Sequence, residues 1–247
     1  SATIGIAVLN TTPKTAFRSK TIRHHIAVLA ALWDRSRKIE TITNPTLEVP
    51  DLPALAALAN EANLPLVVDA TVTTPALARI RDLGGDIVVH STTKFVNGHG
   101  TAIGGAIVDT GRYAWAKGIF EDLRQMAKRA GPMAFLAFLR NVILRDLGGC
   151  AAPQNSFLML QGLETLLPRM RLHCENALRL AQFLRGLPGV ARVDYPGLPD
   201  SPGRSRIESL YGGQGGAILT FGLASREAAF RCLDRFRLAK RMTNLGD

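Results

Sequence analysis

The sequence predicts an α/β fold, with a mostly parallel sheet, flanking helices and the start of a smaller α+β unit behind it. Two observations carry this reading. Short apolar runs of strand type (residues 66–69, 87–90 and 105–108) alternate with segments whose apolar residues recur at helical spacing. Beyond residue 189 the pattern changes to two strand-like runs, 190–195 and 217–221, separated by a loop rich in Gly, Pro and Ser and followed by a helix over 226–236.

The elements follow in order. Residues 4–9 read as a strand, and 26–33 as a helix or a strand. Asn44-Pro45 breaks any helix. Asp51 can cap a helix through Leu55, Leu58, Ala59 and Ala62. After the strand ending at Asp69, Pro75 opens a helix through Leu77, Ile80 and Leu83 that Gly84-Gly85 stops. Residues 109–155 hold two basic, partly amphipathic pieces, around 115–130 and 135–147. Two long helices are expected over 154–166 and 169–184, with Pro168 as the break. In the second, Met170, Cys174, Ala177, Ala181 and Leu184 share one face.

Composition narrows the function classes. The 247 residues suffice for one large domain or one and a half, and 47% hydrophobic content fits a globular chain. No apolar run approaches the roughly 18–20 residues that span a bilayer, and no signal peptide is visible. Cys150, Cys174 and Cys232 form no CxxC pair and no metal spacing, which points to reduced thiols in a cytoplasmic protein without a metal site. The net charge of +10 is concentrated in Lys14, Arg18, Lys20, Arg23, Arg35, Arg37 and Lys38, and in Arg226, Arg231, Arg235, Arg237, Lys240 and Arg241. No aromatic interleaving or nucleic-acid motif accompanies these runs, so they read as solvated basic faces.

The stretch 86–105 carries the chemistry. An apolar strand ends in His90-Ser91-Thr92-Thr93, Lys94 follows, and glycines stand at 98, 100, 104 and 105. A lysine just past the carboxyl end of a buried strand lies where open α/β sheets bind ligands. One strand-plus-helix unit upstream, Leu64-Pro-Leu-Val-Val-Asp69 ends in a carboxylate. Neighbouring parallel strands put Asp69 and Lys94 at one sheet edge. Pyridoxal phosphate chemistry uses that pair: a lysine imine, and an acid that keeps the pyridine nitrogen protonated. Alone, each has a plainer reading, Lys94 as a solvated charge and Asp69 as a helix cap. Ser91-x-x-Lys94 also matches the serine acyl-enzyme motif, but its Ser-Asp-Asn and Lys-Thr-Gly companions are absent from the sequence.

The segments Glu40-Thr-Ile-Thr-Asn-Pro45, Val67-Val-Asp-Ala-Thr71, His90-Ser-Thr-Thr-Lys94 and Gly98-His-Gly100 with Gly104-Gly105 resemble the motif series of the Cys/Met-metabolism pyridoxal-phosphate enzymes. Leu160-Gln-Gly-Leu-Glu-Thr-Leu166, Arg169-Met170, His173 and Glu175-Asn-Ala177 resemble the O-acetylhomoserine sulfhydrylase branch. The resemblance implies the fold type I, aspartate-aminotransferase-like architecture of PLP-dependent transferases. Residues 1–150 would then be part of the PLP-binding large domain, 151–188 the connecting helices and 189–247 part of the small domain.

It also implies roles. Lys94 matches the Schiff-base lysine, which holds pyridoxal 5'-phosphate and shuttles protons. Asp69 matches the partner of the pyridinium nitrogen, Ser91 and Thr93 the hydroxyls on the cofactor phosphate, and Asn44 the donor to the ring 3-oxygen. His90, His99 and His173 read as structural. The implied reaction is γ-replacement on O-acetylhomoserine by sulfide or thiol, giving homocysteine, in a cytoplasmic homo-oligomer (dimer or tetramer in the family) of methionine biosynthesis. A cystathionine γ-synthase or γ-lyase would use the same residues. Ala70 departs from the family's usual Asn. The family's phosphate loop and ring-stacking tyrosine lie upstream of the Glu40 motif and nothing in residues 1–39 matches them, and its substrate-carboxylate arginine lies beyond 244–247. The chain thus resembles the central part of a longer enzyme, and a non-catalytic homologue is the reading from another class.

Overall fold

The structure, a computed structural model, describes residues 4–5, 37–238 and 244–246. The expected element at 26–33 and most of the first basic run lie outside the described residues, as do Lys240 and Arg241. Five strands form the main sheet: β1 (Ile4–Gly5), β2 (Arg37–Glu40), β3 (Leu66–Asp69), β4 (Ile87–Ser91) and β5 (Gly105–Asp109). Their order is β1-β5-β4-β3-β2. β2, β3 and β4 are parallel, with Glu40 opposite Asp69 and Asp69 opposite Val89. Three carboxyl ends therefore meet at one edge.

Helix α1 (Leu52–Glu61) makes the first crossover, and Asp51 caps it as expected by accepting from the Ala54 N–H at 3.1 Å. The second crossover departs from the expectation. Helix α2 spans only Thr74–Leu77, because Ala78 is extended (φ −134°, ψ 119°). Ile80 is buried in the core all the same, and its carbonyl accepts from Leu83 and Gly85 in a turn. Packing of Ile80, not helix propensity, decides this segment.

The sheet is mostly parallel, as expected, and one strand reverses. β5 runs antiparallel to β4, with Val88 opposite Val108 and Ser91 opposite Gly105. The connection 92–104 contains no helix, so the chain turns back at the edge where β4 ends and can return only antiparallel.

Both sheet faces are covered, which explains the unbroken apolar runs. Leu66, Val68 and Val88 pack with Leu52, Ala56 and Ala59 of α1 and with Ile207 and Tyr211 of a later helix. Val67 and Ile87 face the other way, toward Trp115, Leu123, Phe135 and Phe138. That second layer comprises α3 (Glu121–Ala130) and α4 (Ala134–Phe138), the latter continued by a π-helical turn at Leu139–Leu144. Each fully buried Leu or Phe contributes about 1.5–3 kcal/mol.

Helices α5 (Pro153–Glu164) and α6 (Leu166–Arg185) follow. They separate at Thr165, not at Pro168, which fits the first turn of α6 because no intrahelical donor is needed there. The expected α6 face is buried: Met170, Cys174, Ala177, Ala181 and Leu184. Ala177, Ala181 and Leu184 cover a two-stranded antiparallel sheet, β6 (Val190–Asp194) and β7 (Thr220–Leu223). Between them α7 (Arg204–Tyr211) returns to the main core, and Tyr211 Oη donates to the Thr41 carbonyl at 3.0 Å. Helix α8 (Arg226–Asp234) ends the described fold and carries Arg226 and Arg231.

Candidate active site

The carboxyl ends of β2, β3 and β4 bring the expected residues to one edge. Asp69, half-buried, ends β3; its Oδ1 accepts from the Thr71 N–H at 2.9 Å. Thr71 Oγ1 in turn accepts from the Ser91 N–H at 2.8 Å, so one residue ties the carboxylate to the end of β4. Ser91 is half-buried, and its hydroxyl makes no hydrogen bond among the described residues. Thr93 differs: its hydroxyl donates to the Gly104 carbonyl at 3.2 Å and accepts from the Gly104 N–H at 3.1 Å. It closes the loop on itself.

Lys94 follows in a tight turn. Its N–H donates to the Ser91 carbonyl (3.2 Å), its carbonyl accepts from the Gly98 N–H (2.8 Å), and the Asn97 N–H donates to the Thr92 carbonyl (2.9 Å). Gly98 has φ +68°, which suits glycine. The Lys94 side chain is half-buried, and its Nζ donates to Asn244 Oδ1 at 2.8 Å. Gly246, two residues on, lies against the Lys94–Phe95 backbone: a Cβ there would come 2.7 Å from Phe95 N.

Asn44 lies at the same edge on the exposed loop after β2, where its N–H donates to Glu40 Oε2 at 3.1 Å. Glu40 thereby acquires a role that its sequence did not suggest, fastening that turn. Ala70 is fully buried in the core.

The three histidines of this region make different contacts. His99 Nδ1 lies 2.6 Å from the Asn97 carbonyl. His173 meets the Phe95 ring edge-on at 5.6 Å between centroids. His90 is buried, with Nδ1 unpartnered among the described residues. Burial holds the His90 pKa down, partly offset by the Asp69 charge and a backbone hydrogen bond with Ala70.

Sequence reasoning missed Thr71, Asn244 and Arg169. Thr71 and Arg169 stood inside motifs without an assigned task. Asn244 lies 150 positions from Lys94, and nothing local marks it. A cavity of about 750 Å³ lies elsewhere, between residues 39–50 and 185–206. None of the candidate residues lines it, and its arginines are engaged: Arg185 with Asp200, Arg192 with Asp194, and Arg206 with the Val49 carbonyl. No cluster of His, Cys, Asp or Glu among the described residues is suited to a metal ion.

Known proteins resemble this chain in sequence and in fold. The profile of the family described as Cys/Met metabolism PLP-dependent enzyme matches residues 24–247. O-acetyl-L-homoserine sulfhydrylase 1 of Thermus thermophilus is 40% identical over 220 residues, covering 85% of this chain and 52% of the relative. The solved O-acetylhomoserine sulfhydrylase of Wolinella succinogenes superposes with a TM-score of 0.79 at 39% identity, over 89% of this chain and 64% of that one. A Campylobacter jejuni structure holding N'-pyridoxyl-lysine-5'-monophosphate gives 0.80 at 29% identity, over 85% and 55%. The chain spans about half the length of the curated relatives it matches.

Proposed function

Because the chain belongs to the Cys/Met metabolism PLP-dependent enzyme family, we propose that it carries the cofactor-bearing part of an enzyme that exchanges the acetate of O-acetylhomoserine for sulfide, giving homocysteine. The observation that carries the reading is the Asp69–Thr71–Ser91 chain of hydrogen bonds, which sets a carboxylate beside the loop that holds Lys94. The names of the similar sulfhydrylases and homocysteine synthases support the choice of substrate.

The residues present fit pyridoxal phosphate. Its aldehyde calls for a half-buried amine, its ring nitrogen for a carboxylate and its phosphate for hydroxyl donors, and one edge offers Lys94, Asp69 and Ser91. When bound, the cofactor supplies the electron-withdrawing ring that acidifies the substrate α-proton. Lys94 Nζ would hold the cofactor and move protons on and off substrate carbons. Asp69, fixed by Thr71, would keep a proton on the ring nitrogen. Ser91 would donate to the phosphate, Thr93 would join it on releasing the Gly104 carbonyl, and Asn44 would serve the ring oxygen.

Three regions serve this reading: 1–150 bears the cofactor, 151–188 connects and 189–247 begins the small domain. Helix α6 supports it, packing Leu166 and Met170 on Phe95 at one end and β6–β7 at the other. A cytoplasmic location is supported by three free cysteines, and among the described residues no helix is long and apolar enough to cross a membrane. A homo-oligomer is supported by exposed Phe157, Leu160, Leu163 and Leu167 along α5–α6.

The test is cofactor capture. The purified chain is incubated with pyridoxal phosphate, reduced with borohydride and mapped by mass spectrometry, with Lys94→Ala as control. A single adduct on Lys94 supports the reading. Scattered labelling that Lys94→Ala leaves unchanged replaces it with a non-catalytic homologue. Homocysteine formation from O-acetylhomoserine and sulfide, set against cystathionine formation from O-succinylhomoserine and cysteine, then separates the sulfhydrylase from a cystathionine synthase.

A further inference from the structure

We propose that Arg169 is a positioning residue for Lys94, fixing the backbone that bears the amine to the junction of α5 and α6. The inference rests on the reading of Lys94 given above. The loop 92–104 and helix α5 approach so closely that Gly162 has no room for a side chain: a Cβ would fall 2.3 Å from the Asn97 carbonyl oxygen and 2.4 Å from that of Val96. Two further contacts flank this point. Thr92 Oγ1 donates to Met159 Sδ at 3.1 Å, and Asn155 Nδ2 donates to the Ile103 carbonyl at 3.0 Å.

Arg169 closes the junction. Nη1 donates to the Phe95 carbonyl at 2.8 Å, Nη2 to the Gly162 carbonyl at 2.7 Å, and Nε to Thr165 Oγ1 at 3.0 Å. One planar fork thus joins the residue after Lys94 to the last turn of α5. The Gly162 carbonyl belongs to the end of α5, where positive charge is favoured; it also accepts from the Thr165 N–H at 3.3 Å and from Thr165 Oγ1 at 3.4 Å. Burial pulls the Arg169 pKa down, yet a guanidinium keeps its proton at any ordinary pH. The space around it is full, since a Cβ on Gly98 would come 2.1 Å from Nη1. Lys94 is therefore held from both sides, at its amine by Asn244 and at its backbone by Arg169. A lysine at 169 keeps the charge but cannot present two donors in one plane.

The test compares the wild-type chain with Arg169→Ala, Arg169→Lys and Thr165→Val, all checked for an intact fold by circular dichroism. Two readouts are taken: hydrogen exchange of the peptide covering 92–104, and the site distribution of borohydride-trapped pyridoxal phosphate. Arg169→Ala is expected to speed exchange at the Asn97 and Gly98 amides roughly tenfold or more, with α1 and β3 unchanged. Trapping should fall at Lys94 and spread to other lysines. Arg169→Lys should recover part of both effects. Thr165→Val loses the hydroxyl that accepts from Arg169 Nε and donates to the Gly162 carbonyl, but keeps the Arg169 contacts to the Phe95 and Gly162 carbonyls, so it should lie closer to wild type than Arg169→Ala. Wild-type exchange and wild-type labelling in Arg169→Ala would overturn the proposal. If Arg169→Ala does not fold, Arg169→Lys decides: exchange equal to wild type overturns the proposal, and faster exchange confined to 92–104 supports it. A wild-type chain that takes no label at Lys94 would refute the cofactor reading, while exchange would still show whether Arg169 holds the loop.

Discussion

Lys94 Nζ and Asn244 Oδ1 lie 2.8 Å apart, joining the loop after β4 to a residue 150 positions later. The acceptor is a neutral amide oxygen, so it directs the amine without placing a charge beside it. Asn244→Asp puts a carboxylate in the same place and favours the ammonium form. Only the neutral amine attacks a carbonyl. Capture of pyridoxal phosphate at neutral pH should slow about tenfold. Asn244→Ala should lower the trapped fraction. The rate and extent of trapping measure both, and wild-type capture in Asn244→Asp would rule the contact out.

Asp69→Asn tests the other half of the pair. Asn keeps an oxygen for the Thr71 N–H, so the link to Ser91 survives and the thermal midpoint should change little. The charge that the proposed function sets against the ring nitrogen is lost. A hydrogen bond to a charged group contributes about 1.5–3 kcal/mol, so the Kd for pyridoxal phosphate should rise roughly tenfold or more. Equilibrium dialysis reads this directly.

Local chemistry was legible and long-range geometry was not. Asp51 announced the start of α1, and the runs 66–69 and 87–90 announced adjacent strands, because capping and apolar runs are local signals. The same logic failed where packing decided. The Ile80 and Leu83 spacing fits a helix, but Ile80 reaches the core from a turn. Pro168 looked like a break and sits in a first turn, where proline costs nothing. The direction of β5 depended on whether 92–104 held a helix, which its glycines alone did not say. Asp69, Ser91 and Lys94 could be named from sequence because each ends or follows a strand. Thr71 and Asn244 act through partners distant in sequence, and no residue-type pattern marks such a contact.

Ala70 bears on a motif departure. It is fully buried among Ile42, Val68 and Val88. Ala70→Asn would place an amide there, and an unsatisfied buried amide costs about 1–3 kcal/mol. A lower denaturation midpoint with an unchanged denaturant slope is the expected result.

Gly98 and Arg169 are expected to couple. Gly98→Ala adds a Cβ in a left-handed conformation, which costs roughly 1–2 kcal/mol by itself. It also drives that Cβ into a guanidinium held by two carbonyls. Removing the guanidinium frees the space. In a double-mutant cycle, Gly98→Ala should therefore cost less in the Arg169→Ala background, with a coupling of about 0.5–3 kcal/mol. Strict additivity in urea unfolding would mean that the loop and the arginine do not touch.

Stability against pH should carry two opposed contributions. Burial lowers the His173 pKa, and the neighbouring Arg169 charge lowers it further. The folded state thus prefers neutral imidazole. As pH falls below about 6.5, the unfolded chain binds the proton first and the fold loses stability. Asp86 behaves in the opposite sense. It is buried beside the start of β3, its Oδ2 accepting from the Leu66 N–H at 2.8 Å, and desolvation raises its pKa despite that bond and the nearby Arg112 charge. Its ionised form costs stability at neutral pH. As pH falls through the raised folded value, the native state binds the proton first and the fold gains. Asp86→Asn removes that gain and keeps an oxygen for Leu66, while His173→Gln removes a loss. Between pH 7 and about 4.5, the thermal midpoint should therefore fall further in Asp86→Asn than in wild type, and less in His173→Gln. Identical curves for wild type and Asp86→Asn would mean that this carboxylate is hydrated in the folded chain, and the packing of β3 against β4 at that end would need to be redrawn.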